Sequence, residues 1–338
     1  MLKVGIVGLG GISRVHRRAY LHLTREGKAE LVAGCDIDEH AFSRRVSINL
    51  DEGEAPLEEK IRFYTSLDEM LLREQLDLID ICTPTYLHAE LSTALLRRGY
   101  HVLCEKPMAL HAADCDGMLR AAEESGRQLM IGQCLRFYPA FDFIKNAIDE
   151  NRFGALLGGF FWRSCPPPDW GYENWFLDGE RSGGCLTDVH VHDIDVIRYL
   201  FGEPDAVSCR ASSSVSLHAT AHTALFYGDT PLTAVGDWSL TGIPFSAFCQ
   251  INFAAATLRF DGKTLSVYPK EEGIAPYEVP LQGMNGYYEE IAYFCDVVEG
   301  RIKNTKNPPS SAANSIRLIE KMRQSAAASG EIVRVTGA

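Results

Sequence analysis

The apolar positions of the chain change their period about a third of the way along. "LKVGIVG" (Leu2 to Gly8) is nearly continuous in apolar residues, as in a strand buried on both faces. "RVHRRAYLHLT" then follows as a helix. The alternation recurs: "AELVAGCDID", "LDLIDIC", "YHVLC" and "RQLMIGQC" read as strands, and "AADCDGMLRAAEESG" as a helix before the last of them. This predicts a doubly wound parallel sheet that is complete near residue 133. Residues 51–60, "DEGEAPLEEK", are acidic and contain a proline, and are expected to form a solvated loop.

From about residue 134 the texture is different. "YPAFDFIKNAIDENRFG" predicts a helix ended at Gly154, and "ALLGGFFWRS" a strand. "LTDVHVHDIDVIRYL" carries Leu186, Val189, Ile194, Ile197 and Leu200 on a helical pattern, with two glycines before it. Residues 205–280 hold alternating runs such as "TALFYG", "FCQINF" and "LSVYP" between Gly, Asp and Pro turns, which predicts an antiparallel sheet. One face of that sheet needs covering, and a second subunit would cover it. A helix, "SSAANSIRLIEKMRQSAAASG", and a short strand, "EIVRV", close the chain. The expected fold is therefore α/β: a Rossmann unit over residues 1–133, then an α/β domain over 134–338 built on a large open antiparallel sheet.

Length and composition agree: 338 residues suit two domains, and 46% apolar residues suffice for two cores. No apolar run approaches a bilayer span, and the opening "MLKVGIVGLGG" has no secretory pattern. The ten cysteines are scattered in apolar segments without a CxxC, as expected of buried reduced thiols in a cytoplasmic protein. A net charge of −12 argues against nucleic acid or an anionic membrane as a partner.

Candidate chemistry begins at the first turn. Gly8, Gly10 and Ser13 occupy the three positions of a GxGxxG turn between a strand and a helix. The first glycine allows the tight turn and the second lets the backbone approach a pyrophosphate. The helix N-terminus then offers free N–H groups and a positive dipole end. Gly11 and Ile12 complete the expected contact set. Asp36 ends the second strand, where a carboxylate accepts hydrogen bonds from ribose hydroxyls and repels a 2′-phosphate. Residues 37–40 include no arginine, so NAD is expected over NADP. The loops after two further strands, at Thr83-Pro84 and Glu105-Lys106-Pro107, fall at the carboxyl ends where such sheets bind ligands.

In "GGCLTDVHVHDIDVIRYL", Asp188 and His192 are four apart and share a helix face, while His190 points elsewhere. Two histidines in His-x-His do not supply the i, i+4 spacing of helical zinc ligands, so no metal is expected. Taken alone, an Asp–His pair on a helix is more often structural than catalytic.

The segments "GIVGLGGISRVH", "CTPTYLHAE", "CEKPMAL", "GQCLRFYP" and "GGCLTDVHVHDIDV", in this order, resemble the glucose–fructose oxidoreductase / inositol dehydrogenase (Gfo/Idh/MocA) family. The resemblance covers most of the chain. It implies hydride transfer between a nicotinamide and a hydroxyl or carbonyl carbon of a sugar, inositol or related polyol. It also implies dimers or tetramers formed through the open sheet. Lys106 matches the family lysine beside the nicotinamide and the reacting oxygen, and Glu105 its neighbour. Asp188 and His192 match the aspartate and the catalytic histidine. Thr83, Pro84 and His88 match cofactor positions. Thr85, His190 and Ser13 depart from the usual residues, and the substitution at His190 bears on the substrate.

On this reading His192 is the base for the hydroxyl proton, Asp188 orients it, and Lys106 stabilises the developing alkoxide. The loop "CPPPDWGYENWF" offers Trp175 and other aromatic faces, which suit a sugar's C–H face or equally its own domain's core. Arg136 either faces the cleft or pairs structurally. Two other readings stay open: a recycled-NAD sugar enzyme (epimerisation, elimination or aldose exchange), and a non-catalytic dinucleotide- and sugar-sensing regulator. Keeping both Lys106 and His192 counts against the regulator.

Overall fold

The opening apolar run becomes a central strand. Val4 and Ile6 of β1 (Leu2–Val7) are fully buried and Gly5 leaves room beneath Leu76, so neighbours pair on both sides. The computed structural model describes residues 1–42 and 61–335, so the loop expected at 51–60 lies outside the described residues. After β1 come α1 (Gly11–Arg25), β2 (Ala29–Cys35), β3 (Arg62–Tyr64), α2 (Leu67–Arg73), β4 (Leu78–Ile81), α3 (His88–Arg97), β5 (His101–Glu105), α4 (Ala112–Ser125) and β6 (Leu129–Gly132). Among the described residues these six strands form one parallel sheet in the order β3-β2-β1-β4-β5-β6. That is the dinucleotide-binding order, with successive strands added first to one side of β1 and then, from β4, to the other.

The chain then supplies α5 (Pro139–Asp149), β7 (Leu156–Ser164), the single turns α6 (Gly179–Ser182) and α7 (Cys185–Asp188), α8 (His190–Phe201), β8 (Ala206–Ser212), β9 (Thr220–Tyr227), β10 (Thr230–Asp237), β11 (Ser246–Phe253), β12 (Ala256–Phe260), β13 (Leu265–Pro269) and β14 (Tyr277–Glu278). Helices α9 (Gly286–Val298) and α10 (Pro309–Ala327) and strand β15 (Val333–Arg334) follow. Among the described residues a second sheet of nine strands runs β14-β13-β12-β11-β7-β10-β9-β8-β15. Every pairing in it is antiparallel except β7 with β10, which is parallel. The sheet is thus mixed at its centre. The connection from β7 to β10 passes through α6–α8, β8 and β9, and that long crossover is what a parallel pair requires.

The two compact units do not follow a single cut. One comprises residues 1–134, 170–175 and 286–313, the other 135–169, 176–285 and 314–338. The expected boundary at 133 marks only the first crossing. The return of α9 has a clear cause: Tyr288, Ile291, Phe294, Cys295 and Val297 join one buried cluster with Val4, Ile6, Ala19, Tyr20 and Leu23. An apolar helix face is buried where it removes most surface from water. Tyr288 Oη also donates to Glu26 Oε1, 2.5 Å away.

In the second unit the expected helix from Leu186 breaks at Val189 into α7 and α8, with His192 N–H bonded to the Val189 carbonyl at 3.3 Å, a tightened turn. Gly184, just before it, has φ +71°, and a Cβ there would lie 1.7 Å from the Leu217 carbonyl oxygen. All ten cysteines are buried and unpaired with one another. Among the described residues no helix is long and apolar enough to cross a membrane. Replacing Gly184 by Ala collides with backbone in a left-handed conformation, so Gly184→Ala is expected to lower unfolding free energy by roughly 3 kcal/mol or more, read from urea midpoints.

Candidate active site

In the first unit the glycine turn is built as the sequence suggests. Gly8 has φ +86°, and a Cβ on it would meet the Cys82 carbonyl oxygen at 2.7 Å and the Thr83 nitrogen at 2.8 Å. The turn therefore lies flat on the peptide that ends β4, and only glycine fits. Gly10, the N-cap of α1, has open space where its Cβ would point and no side chain caps the helix. Gly11 and Ile12 follow in the first turn, where N–H groups lack intrahelical partners. Ser13, fully buried, donates to the Gly10 carbonyl at 2.7 Å and so packs where the third glycine of the motif would stand.

Asp36 holds this turn from β2. Its Oδ2 accepts from the Leu9 N–H at 2.7 Å and its Oδ1 from the Asp38 N–H at 2.9 Å. The carboxylate is fixed in direction, and each oxygen keeps a lone pair for a further donor. Thr83 Oγ1 is enclosed with no hydrogen-bond partner among the described residues. A glycine cradle, an uncapped helix start, a fixed carboxylate and an orphaned hydroxyl fit a dinucleotide: α1 would hold its pyrophosphate and Asp36 a ribose.

Two residues expected at the cofactor turn inward instead. His88 is 1% exposed, with Nδ1 2.8 Å from the Pro107 carbonyl and Nε2 2.9 Å from the Thr83 carbonyl. It ties the Thr83-Pro84 loop to the Lys106-Pro107 loop rather than offering a nitrogen to a ligand. Burial holds its pKa down, against the pull of both carbonyls. Glu105 is 4% exposed; its Oε1 lies 3.0 Å from His16 Nε2 and its Oε2 accepts from the Lys106 N–H at 3.1 Å. Lys106 itself is half-buried, at a cis Lys106-Pro107 bond. The loop residues 170–175 belong to this unit, where Trp175 is buried and Trp170 and Tyr172 are exposed. Trp175, the expected substrate contact, is thus enclosed, while Trp170 and Tyr172 reach the surface.

In the second unit, every residue from Ser182 to Arg198 is buried except His192. The helix has no solvated face; its charges are paired within the unit. Asp193 receives Arg163 Nε and the Arg163 NH2 group at 2.9 and 3.1 Å. Asp195 receives two Arg136 nitrogens, both at 2.7 Å, and Ser315 at 2.8 Å. Arg136 is therefore committed to a bidentate buried pair and does not offer its guanidinium to a substrate. His190 is fully buried, with Nε2 3.0 Å from Thr223 Oγ1, and its ring sits where a Cβ on Gly236 would be. Burial, with Arg163 and His222 adding to it, pushes its pKa down to about 3. It is a neutral core residue, not a substrate contact. Asp188 is buried one turn before His192, at the end of α7. The histidines and aspartates of this helix do not gather as ligands. Among the described residues, the groupings close enough to hold an ion lie around His16.

Comparison with known proteins divides the chain near the first crossing between the units. Residues 2–133 match "Oxidoreductase family, NAD-binding Rossmann fold" and residues 141–268 match "GFO/IDH/MocA C-terminal domain". Inositol 2-dehydrogenase of Rhizobium meliloti is 31% identical over 217 residues, 63% of this chain and 59% of that protein. 2,7-Anhydro-N-acetylneuraminate hydratase of Escherichia coli is 28% identical over 215 residues, 62% of this chain and 52% of its own length. The chain thus spans between half and three fifths of these curated relatives. The WlbA dehydrogenase of Bordetella pertussis, solved with NADH and UDP-GlcNAcA, superimposes with a TM-score of 0.80 at 20% identity, over 100% of this chain and 99% of that one. The molecule is a two-unit α/β protein whose first unit is a dinucleotide-binding fold. It belongs to the Gfo/Idh/MocA oxidoreductase family.

Arg136→Ala leaves the buried Asp195 carboxyl without its guanidinium partner, and is expected to cost about 3–5 kcal/mol of unfolding free energy in urea. His190 binds its proton in the unfolded chain near pH 6.5 but in the folded one only near pH 3. Stability is therefore lost as pH falls below about 6.5. A thermal-melt series in His190→Gln is expected to be flatter over that range than in the parent.

Proposed function

We propose that this protein is an NAD-dependent oxidoreductase acting on a CH–OH carbon of a sugar, inositol or related polyol. The observation that carries this reading is the selective accessibility of the two motif residues. Lys106 stands half-buried directly after β5, and His192 is the half-buried position in the otherwise buried stretch from Ser182 to Arg198. When bound, a nicotinamide supplies the hydride acceptor or donor. His192 takes the hydroxyl proton, its ordinary pKa lying near working pH, and buried Asp188 steadies the ring. Lys106 places positive charge where the substrate oxygen becomes negative. Asp36 selects NAD by presenting a carboxylate to the 2′ position. The half-exposed ladder of Phe160, Trp162 and Phe248 on the large sheet supports a homo-oligomer formed through that face. Ten buried thiols without a disulfide suit a reducing, cytoplasmic compartment.

A second reading has its own support. Likeness to a protein named as a hydratase favours an enzyme that recycles its NAD within an elimination or hydration. Net NADH formation separates the two.

On a panel of inositols, aldoses and polyols, the protein is expected to form NADH with one class. His192→Ala should lower kcat by roughly 10²–10⁴-fold while NADH still binds, monitored by its fluorescence. Asp36→Ala should instead weaken NAD and leave NADP less disfavoured. Substrate conversion without net NADH would sink the simple dehydrogenase reading in favour of recycling.

A further inference from the structure

Beneath the Lys106 turn lies a buried cluster of ionisable groups that the proposed reaction does not use. His16 of α1 is fully buried between two carboxylates: Nδ1 is 2.8 Å from Asp80 Oδ2 on β4, and Nε2 is 3.0 Å from Glu105 Oε1 at the end of β5. A ring with a carboxylate on each nitrogen can donate to both only as an imidazolium. Burial opposes that charge, but Asp80 and Cys82 outweigh it and raise the His16 pKa well above its ordinary value.

Glu290 reaches the same place from α9. It is fully buried, and neither carboxyl oxygen has a hydrogen-bond partner among the described residues. One of its oxygens, a Glu105 oxygen and a His16 nitrogen all lie within 4.8 Å of one another. If Glu290 were ionised, three carboxylates would share one imidazolium out of reach of water. Like charges so close do not both persist in such a site; one takes a proton. Burial and the charge of Glu105 push the Glu290 pKa well up.

We propose that Glu290 is a neutral carboxylic acid that, with the imidazolium of His16, fixes Glu105 and through it the backbone of Lys106. His16 and Glu290 are then positioning residues for the reaction. This rests on the reading of Lys106 as catalytic. The route is short: Glu105 Oε2 accepts the Lys106 N–H, and Oε1 faces His16. Gly132 on β6 closes the other side, since a Cβ there would sit 3.0 Å from Glu105 Oε1. Glu105 therefore has one place to go, and the groups behind it decide how firmly it is held.

The first test needs no substrate. Infrared difference spectra of the folded protein at neutral pH, parent minus Glu290→Gln, are expected to show the C=O stretch of a protonated carboxylic acid lost in the variant. No such band overturns the proposal, as does one tightly bound divalent metal per chain in the purified protein, which would assign the cluster to metal binding instead. Kinetics supply the second test. Glu290→Gln, neutral and still a donor, should stay near the parent, while Glu290→Met should lower kcat by roughly 10- to 100-fold with the NADH Kd unchanged. Equal losses in both variants, tracking stability alone, would mean a packing role and overturn the positioning claim.

If the parent forms no NADH with any substrate, the functional reading falls by itself. The infrared result still decides the proton, and the ¹⁵N shift of Lys106 Nζ, assigned through Lys106→Arg, replaces kcat. A shift that moves in Glu290→Met but not in Glu290→Gln supports positioning, and one that moves in neither overturns it.

Discussion

One imidazole holds the ligand-facing edge of the first unit together. His16 leaves the helix that follows the glycine turn and reaches Asp80 on β4 and Glu105 on β5. Three loops emerge from those elements: the glycine turn, Thr83-Pro84, and Glu105-Lys106-Pro107. Their spacing is set by two charge-assisted hydrogen bonds in a buried core, where such bonds are strong and their loss is costly. His88 adds a second tie, its neutral ring lying between the Thr83 and Pro107 carbonyls and donating to one of them. A dinucleotide-binding edge is thus held from below by buried side chains.

The second unit solves the same problem differently. Helix α8 is surrounded, so each of its charges has been matched by a partner from another element: Asp193 by Arg163 of β7, Asp195 by Arg136 and Ser315, Arg198 by Glu203 and Ser315. Such pairs add little net stability, because desolvating the ions offsets their attraction. What they supply is register. A slide of the helix by one turn would leave several buried charges unpaired at once. His192, in the middle of that run, inherits a position defined on every side.

Much of this was legible from pattern. The parallel first sheet follows from alternating buried runs and helices, and Gly8 and Asp36 follow from the turn chemistry between them. The parallel β7–β10 pair was not legible, because alternation along a strand reports burial and not direction. The return of α9 to the first unit was also missed, although Ile291, Phe294, Cys295 and Val298 carry a helical spacing. A period identifies a helix but not the sheet it covers. The buried pairs were hidden for a related reason. Arg136 and Asp195 are 59 residues apart, and an arginine bound for a ligand and one bound for a core carboxylate look alike in a sequence.

Glu105, His88 and His190 show what a motif can and cannot carry. All three stand at positions that the family pattern marks or brackets, and in all three the polar atoms face inward. A motif records every residue that a site depends on, including those that only hold others. To separate the two kinds, one asks whether a polar atom is left facing outward once the internal bonds are made. Asp36 passes, since its carboxylate is half-exposed and keeps lone pairs beyond its two backbone donors. Glu105 fails, because its oxygens already face His16 and the Lys106 N–H while Gly132 backs them. Lys106 and His192 are half-buried beside fully buried neighbours, an arrangement that packing alone does not require. The chemistry is therefore best sought at those two side chains, and the motif residues around them understood as their support.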